Sequence, residues 1–322
     1  MMNAKRTINI SCKTAINLQA IRDLYVSILK QNRPERFKAK HYGSGKFYKY
    51  SEKKFIEAFD NEMNVLDDNI RFSVEWDGGR SDIIKYVTDI ALRIRINMDA
   101  GPEAGIYNEL EEFIIENAIM ASEADVHDMN AQNERLIHML EMMGENPDNY
   151  PKCKGTFEDV EIDIEKNPGF WRVTRGFDFA AFYRMWFGKE AYDIYDKEAL
   201  RTFPCYENVV LDNDVTRITL YENILDYNKK ENRAKQWEFR EKLHVDEIGR
   251  RMQEEENEEK MKKSDPEISI IQGSFEHGGV RLIRTYLKDG KNVPRSKADT
   301  VEEVEMDDNG KEVYRCTREL PD

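Results

Sequence analysis

The chain has 322 residues and a mass of 38.0 kDa, enough for two domains and a small third. Its 40% hydrophobic and 35% charged residues exclude a disordered polymer, and no run approaches the ~18 apolar residues of a membrane span. A formal net charge of −14 sets the molecule as a whole against nucleic acid and anionic membranes.

The N-terminal segment lacks a continuous apolar stretch and a cleavage pattern, so the expected location is cytoplasmic. Cys12, Cys153, Cys205 and Cys316 form no C-x-x-C pair, which argues against a thiolate zinc site and a disulfide scaffold. Residues 14–30 carry Leu18, Ile21, Tyr25 and Ile28 at helical spacing. Lys30–Lys54 follows with nine basic residues against Glu35 and Glu52, a local +7 that leaves −21 on the rest. Aromatic residues interleave with these cations, as in proteins that hold polyanions or stack on bases. The candidate binding set is Arg36, Lys38, Lys40, His41, Lys46 and Lys49, with Tyr42 and Tyr48 as stacking rings. The ligand is either phosphate or an acidic protein surface. Gly43-Ser44-Gly45-Lys46 is not a phosphate-binding loop, because Lys40 and Phe47 stand where such a loop needs Gly and Ser/Thr.

Ser51 caps a helix carrying Phe55, Phe59 and Met63, and residues 70–76 alternate as a strand. A helix is expected from Ser81, with 92–98 readable as helix or strand. From Glu103 to Met143 the helical pattern is the longest in the chain, read as one helix unless Ser122, with Asp125 three residues on, begins a new one and breaks the alignment. On it Glu109, Glu112, Glu116, Glu123, Glu134 and Glu141 line up as an acidic, partner-facing stripe. No metal site is expected; the weak alternative joins Glu123, His127, Glu134 and His138 on that stripe.

Residues 144–154 read as a linker. Beyond it, Pro168–Tyr195 holds ten aromatic residues, with a core helix expected after an Asp178 cap. A short helix over 189–200 and a hairpin at Val209–Tyr221 follow; Asp212 and Asp214 belong to its turn. Lys229–Lys263 is a helix dense in i, i+4 ion pairs, and 264–322 reads as β-hairpins.

The expected fold class is α+β: a helix-rich unit (1–146) with at least one strand, an aromatic-cored α+β unit (155–228), a charged helix (229–263) and a small antiparallel β appendage (264–322). No catalytic motif and no cofactor signature emerges. The preferred expectation is a non-enzymatic acidic interaction protein. It would be an inhibitor or immunity-type protein whose carboxylates bind a basic, nucleic-acid-handling protein. The alternative is a nucleotide- or nucleic-acid-binding enzyme or sensor working through 33–54. Homo-oligomerisation is expected through 229–263 or the C-terminal hairpins, and no membrane partner is expected.

Overall fold

Alternation in the first strand sets the architecture. In β1 (Lys5–Lys13), Ile8, Ile10 and Cys12 take one face and Thr7, Asn9 and Ser11 the other, and all six are buried. Both faces of this strand are therefore covered. The computed structural model describes residues 5–13, 16–32, 34–39, 46–63, 71–76, 79–85, 91–99, 104–155, 160–263 and 268–320. It is an α+β protein in two units, residues 1–253 and 254–322.

In the first unit, α1 (Leu18–Asn32), β2 (Pro34–Ala39), β3 (Tyr48–Lys49) and α2 (Glu52–Met63) follow β1. Ser51 caps α2, accepting a hydrogen bond from Lys54 N at 3.4 Å. Three consecutive strands that pair in sequence come next: β4 (Arg71–Trp76), β5 (Gly79–Lys85) and β6 (Ala91–Asp99). After α3 (Ala104–Asn117) come β7 (Ala118–Asp125), α4 (Val126–Gln132), α5 (Ile137–Met142), β8 (Lys152–Lys154) and β9 (Val160–Ile162). The aromatic stretch supplies β10 (Arg172–Thr174), β11 (Phe177–Phe179) and β12 (Arg184–Phe187). α6 (Lys197–Arg201), β13 (Glu207–Val210), β14 (Thr216–Thr219), α7 (Lys230–Lys242) and α8 (Val245–Lys263) complete the series, and the division between units falls within α8.

Among the described residues, ten strands form one antiparallel sheet in the order β13-β14-β12-β7-β1-β6-β5-β4-β2-β3. On one face, Ile8, Ile10, Phe37 and Trp186 pack with Ile21, Tyr25, Phe55, Phe59 and Phe113 from the first three helices. On the other, Met120, Met185, Phe187 and Ile218 meet Phe179, Phe182, Tyr195, Phe203 and Phe239. Edge-to-face ring pairs run through this second core, Phe187–Tyr195 at 5.4 Å and Phe203–Phe239 at 5.1 Å.

Five expectations are corrected here. The 103–143 helix is four elements: Ala118–Asp125 is a strand with every residue buried, and such a strand lacks the alternation that distinguishes it from helix. The helix expected after Asp178 is β11 and β12, whose consecutive Trp186 and Phe187 point to opposite sheet faces. The helix expected from Ser81 is β5. The boundary expected at 144–154 does not divide domains, because β12 pairs with β7 in one sheet (Trp186 opposite Ala121). The 229–263 helix is also broken, at His244, whose φ is +51°.

The second unit is a five-stranded antiparallel sheet. β15 (Ile268–Gln272), β16 (Arg281–Lys288), β18 (Thr300–Met306) and β19 (Glu312–Glu319) lie in that order, with β17 (Lys291–Asn292) on β16. Leu282, Tyr286, Val301 and Val304 are its buried apolar residues. All four cysteines of the chain are free thiols.

Trp186 is 1% exposed, and its indole donates to Glu111 on α3 at 3.0 Å, so it ties a helix to the sheet from within the core. Trp186→Ala is expected to lower the unfolding free energy in urea by about 3–5 kcal/mol. The exposed Leu136→Ala should shift it by less than about 0.5 kcal/mol.

Candidate interaction site

The edge strands β2 and β3 carry the basic segment. Phe37 turns toward the helices, 5.9 Å from the Tyr48 ring and 6.0 Å from Phe55, edge to face. Strand alternation then sends Arg36 and Lys38 to the opposite face. The register pairs Arg36 with Lys49 and Phe37 with Tyr48, which adds Lys49 to the same face. Arg36, Lys38, Lys46 and Lys49 are all exposed. Between them lies Phe47, 38% exposed, with the Arg36 guanidinium 4.6 Å and the Lys38 ammonium 5.8 Å from its ring centre.

Arg36, Lys38 and Lys49, three of the six expected basic residues, thus share one surface, and Lys46 is exposed next to Phe47 in the chain; Lys40, His41 and Tyr42 lie outside the described residues. Tyr48 is not a stacking platform, because its ring is packed on Phe37. The exposed ring is its neighbour Phe47, which sequence reasoning missed. The available signal was parity: in Phe47-Tyr48-Lys49, whichever ring shares the lysine's face is the outward one.

This face continues inward. Paired positions run Lys38–Ser73–Asp82–Arg95–Asn9 across five strands. Arg95 donates to Asn9 Oδ1 at 2.8 Å and, with Arg93, lies 5.2 Å from the Trp171 ring. Beneath that indole, Asp178 pairs with the Arg93 guanidinium and accepts from Ser122 Oγ at 3.0 Å and Trp171 Nε1 at 2.9 Å. A void of about 10 Å³ among Asn9, Ser11, Ser122, Asp178 and Tyr195 is the size of one water. Burial pushes the Tyr195 phenol far above its ordinary range. This group of charges is structural, closed over by the aromatic layer.

The acidic stripe does not exist as a surface. Glu109 accepts from the Ser27 hydroxyl, while Glu112 and Glu116 stay exposed on α3. Glu123 is fully buried on β7, 2.5 Å from Arg6 and 3.5 Å from Arg184. Glu134 accepts from Leu136 N at 2.8 Å, and Glu141 is exposed on α5. The chain leaves the helix at residue 118, and the alignment ends there. The same break removes the metal alternative. Glu123 is held by arginines, His127 pairs with Glu145 at 2.8 Å, and His138 points to solvent. Among the described residues no three His, Cys, Asp or Glu side chains gather as a cation site. In the hairpin, Asp214 is engaged by Lys197 and Arg201.

A second group of acids explains why 144–154 is not a linker. Glu145 accepts from Tyr150 Oη at 3.0 Å and holds His127, while Asp128 pairs with Arg233 of α7. Asp125 N-caps α4, accepting from Asp128 N at 2.9 Å. Burial holds the Asp125 carboxyl above its ordinary 3.8, against backbone hydrogen bonds from Asp128 and His127. The Tyr227 phenol beside this group is pushed up to about 12, chiefly by burial.

No family model and no curated protein matches the sequence. Among solved structures, a Pseudomonas aeruginosa T6SS protein aligns over 75% of this chain and 73% of its own, with 9% identity and a TM-score of 0.42. Among the described residues no helix is long and apolar enough to cross a membrane.

Asp178→Ala leaves Arg93 buried without its carboxylate. The loss expected in urea unfolding is about 3–5 kcal/mol. For Asp125 the sign follows from a folded pKa above the unfolded one. Its contribution to stability is complete below pH 3.8 and is lost as pH rises through the folded value. Asp125→Asn keeps the cap and removes the titration. The variant should gain on the parent between about pH 3.5 and pH 7, read as the difference in urea midpoints. A difference that does not change with pH would refute the assignment.

Proposed function

We propose that this protein is a non-enzymatic interaction protein that binds an acidic surface of a protein partner through the β2–β3 edge. One observation carries the reading: Arg36, Lys38, Lys46 and Lys49 are exposed together on a chain whose formal charge is otherwise strongly negative. Opposed charge of this kind orients encounter and excludes partners of the wrong sign. The cations stand on a sheet edge beside an aromatic side chain, so the contact surface is held by the core through Phe37 and Tyr48. The inhibitor role expected from a row of carboxylates loses its support with the stripe. The polarity of the reading therefore reverses: the basic edge, not an acidic face, makes the contact.

A second reading, single-stranded nucleic acid, is favoured by one feature, an exposed Phe47 ring among cations. Two features weigh against it. Arg36 and Lys38 already lie against that ring, and the molecule carries −14 overall.

Fluorescence anisotropy with a labelled poly-glutamate peptide and a labelled oligothymidine separates the readings. The parent protein should bind the peptide, with affinity falling steeply once added salt brings the screening length below about 10 Å. The triple variant Lys38→Glu, Lys46→Glu, Lys49→Glu should lose that binding with its urea midpoint unchanged. Binding of the oligonucleotide alone would establish the second reading. Binding of neither would leave the lysines as guards of an exposed sheet edge.

A further inference from the structure

The two outer strands of the C-terminal sheet differ in chemistry. β19 carries Glu312, Arg315, Arg318 and Glu319; Arg315 bridges Glu302 at 2.8 Å and Glu312 at 2.6 Å, and Arg318 bridges Glu303 at 2.6 Å. An edge so charged resists a further strand. β15, at the other side, reads Ile268-Ser269-Ile270-Ile271-Gln272, with no charge and no proline. Ile268, Ile270 and Ile271 are 56%, 64% and 38% exposed. Its pairing with β16 is continuous from Ile268–Thr285 to Gln272–Arg281 without a bulge, and among the described residues it has no second strand neighbour. Charge, proline and a bulge, three usual protections of an edge, are absent from the strand.

We propose that β15 is where two copies of this chain associate, edge to edge and antiparallel, about a two-fold axis through Ile270. The composition of the strand selects a second copy as the occupant. In a two-fold pairing each residue meets its mirror position: Ile270 meets Ile270, Ser269 meets Ile271, and Ile268 meets Gln272. Each copy carries −14, so association must occur where no like charges are brought together, and β15 supplies five uncharged residues in a row.

The apolar pattern is also continuous across the join. Ile270 pairs with Ile283, which pairs with Val304. The joined sheets would carry one stripe, Val304–Ile283–Ile270, running directly into its own symmetry mate. A five-residue edge is much smaller than the ~1,600 Å² of a standard interface, so the dimer forms and dissociates with concentration.

Sedimentation velocity of the full chain over a concentration series tests this. The parent should show a monomer–dimer equilibrium, and Ile270→Lys should weaken it at least tenfold, because two lysines then meet on the axis. A second measurement stands independently of how that variant folds. In a Cys153→Ser background, which removes the exposed native thiol, Ile270→Cys should form a disulfide-linked dimer on mild oxidation. Ser269→Cys, whose mirror position is Ile271, should not. A parent that stays monomeric at every concentration would overturn the proposal; β15 would then be an acceptor for a different protein's strand. An Ile270→Lys variant that dimerises like the parent, or equal cross-linking at both cysteine positions, would overturn it too.

Discussion

The first unit depends on the Asp178 carboxylate. The face of β1 that bears Thr7, Asn9 and Ser11 is buried under an aromatic layer, and Arg93 from the neighbouring strand lies in the same place. An uncompensated guanidinium there would cost several kcal/mol. Asp178 neutralises it and takes two further hydrogen bonds, from Ser122 and Trp171. The turn that presents Asp178 is itself specified locally. Arg175 and Gly176 both adopt positive φ, +51° and +85°, the geometry of a two-residue hairpin, and Ser11 Oγ donates to the Gly176 carbonyl at 2.6 Å. Hairpin, sheet and indole are thus fixed by one side chain.

Acid–base pairing in the interior changes how the formal charge should be read. Glu123 is consumed by Arg6 and Arg184, Glu111 by Arg217, and Asp128 by Arg233. Each of these pairs joins segments distant in sequence, so the charges act as fasteners between elements. The basic edge differs because its cations stand at the surface. A contact site on a rigid sheet edge loses little conformational freedom on binding, which favours affinity for a given contact area.

Local signals were sufficient where a residue's role is decided by its near neighbours. The Ser51 cap, the strand over 71–76, the hairpin around Asp212–Asp214 and the C-terminal hairpins all appear where spacing places them. The segments that misled are those whose structure is set by distant partners. Ala118–Asp125 contains alanines, methionine and glutamate, ordinary helix formers. It becomes a strand because β1 and β12 offer backbone partners on both sides. Asp178 resembles a helix cap until Arg93, 85 positions earlier, claims its oxygens. The basic segment was recognisable from charge alone. Which of two adjacent rings faces outward was legible only through its parity with Lys49, and the core behind Phe37 enforces it.

The position of β1 bears on how the molecule is made. β1, the earliest described strand in the chain, lies near the middle of the sheet, and its two neighbours are residues 91–99 and 118–125. β1 therefore has neither neighbour until residues 91–125 have followed it. The sheet closes only after β14, at residue 219, has emerged. Such non-local pairing slows folding and lengthens the interval in which backbone groups are open to wrong partners. For this protein the hazardous period is the nascent state, when the future centre of the sheet is still an edge.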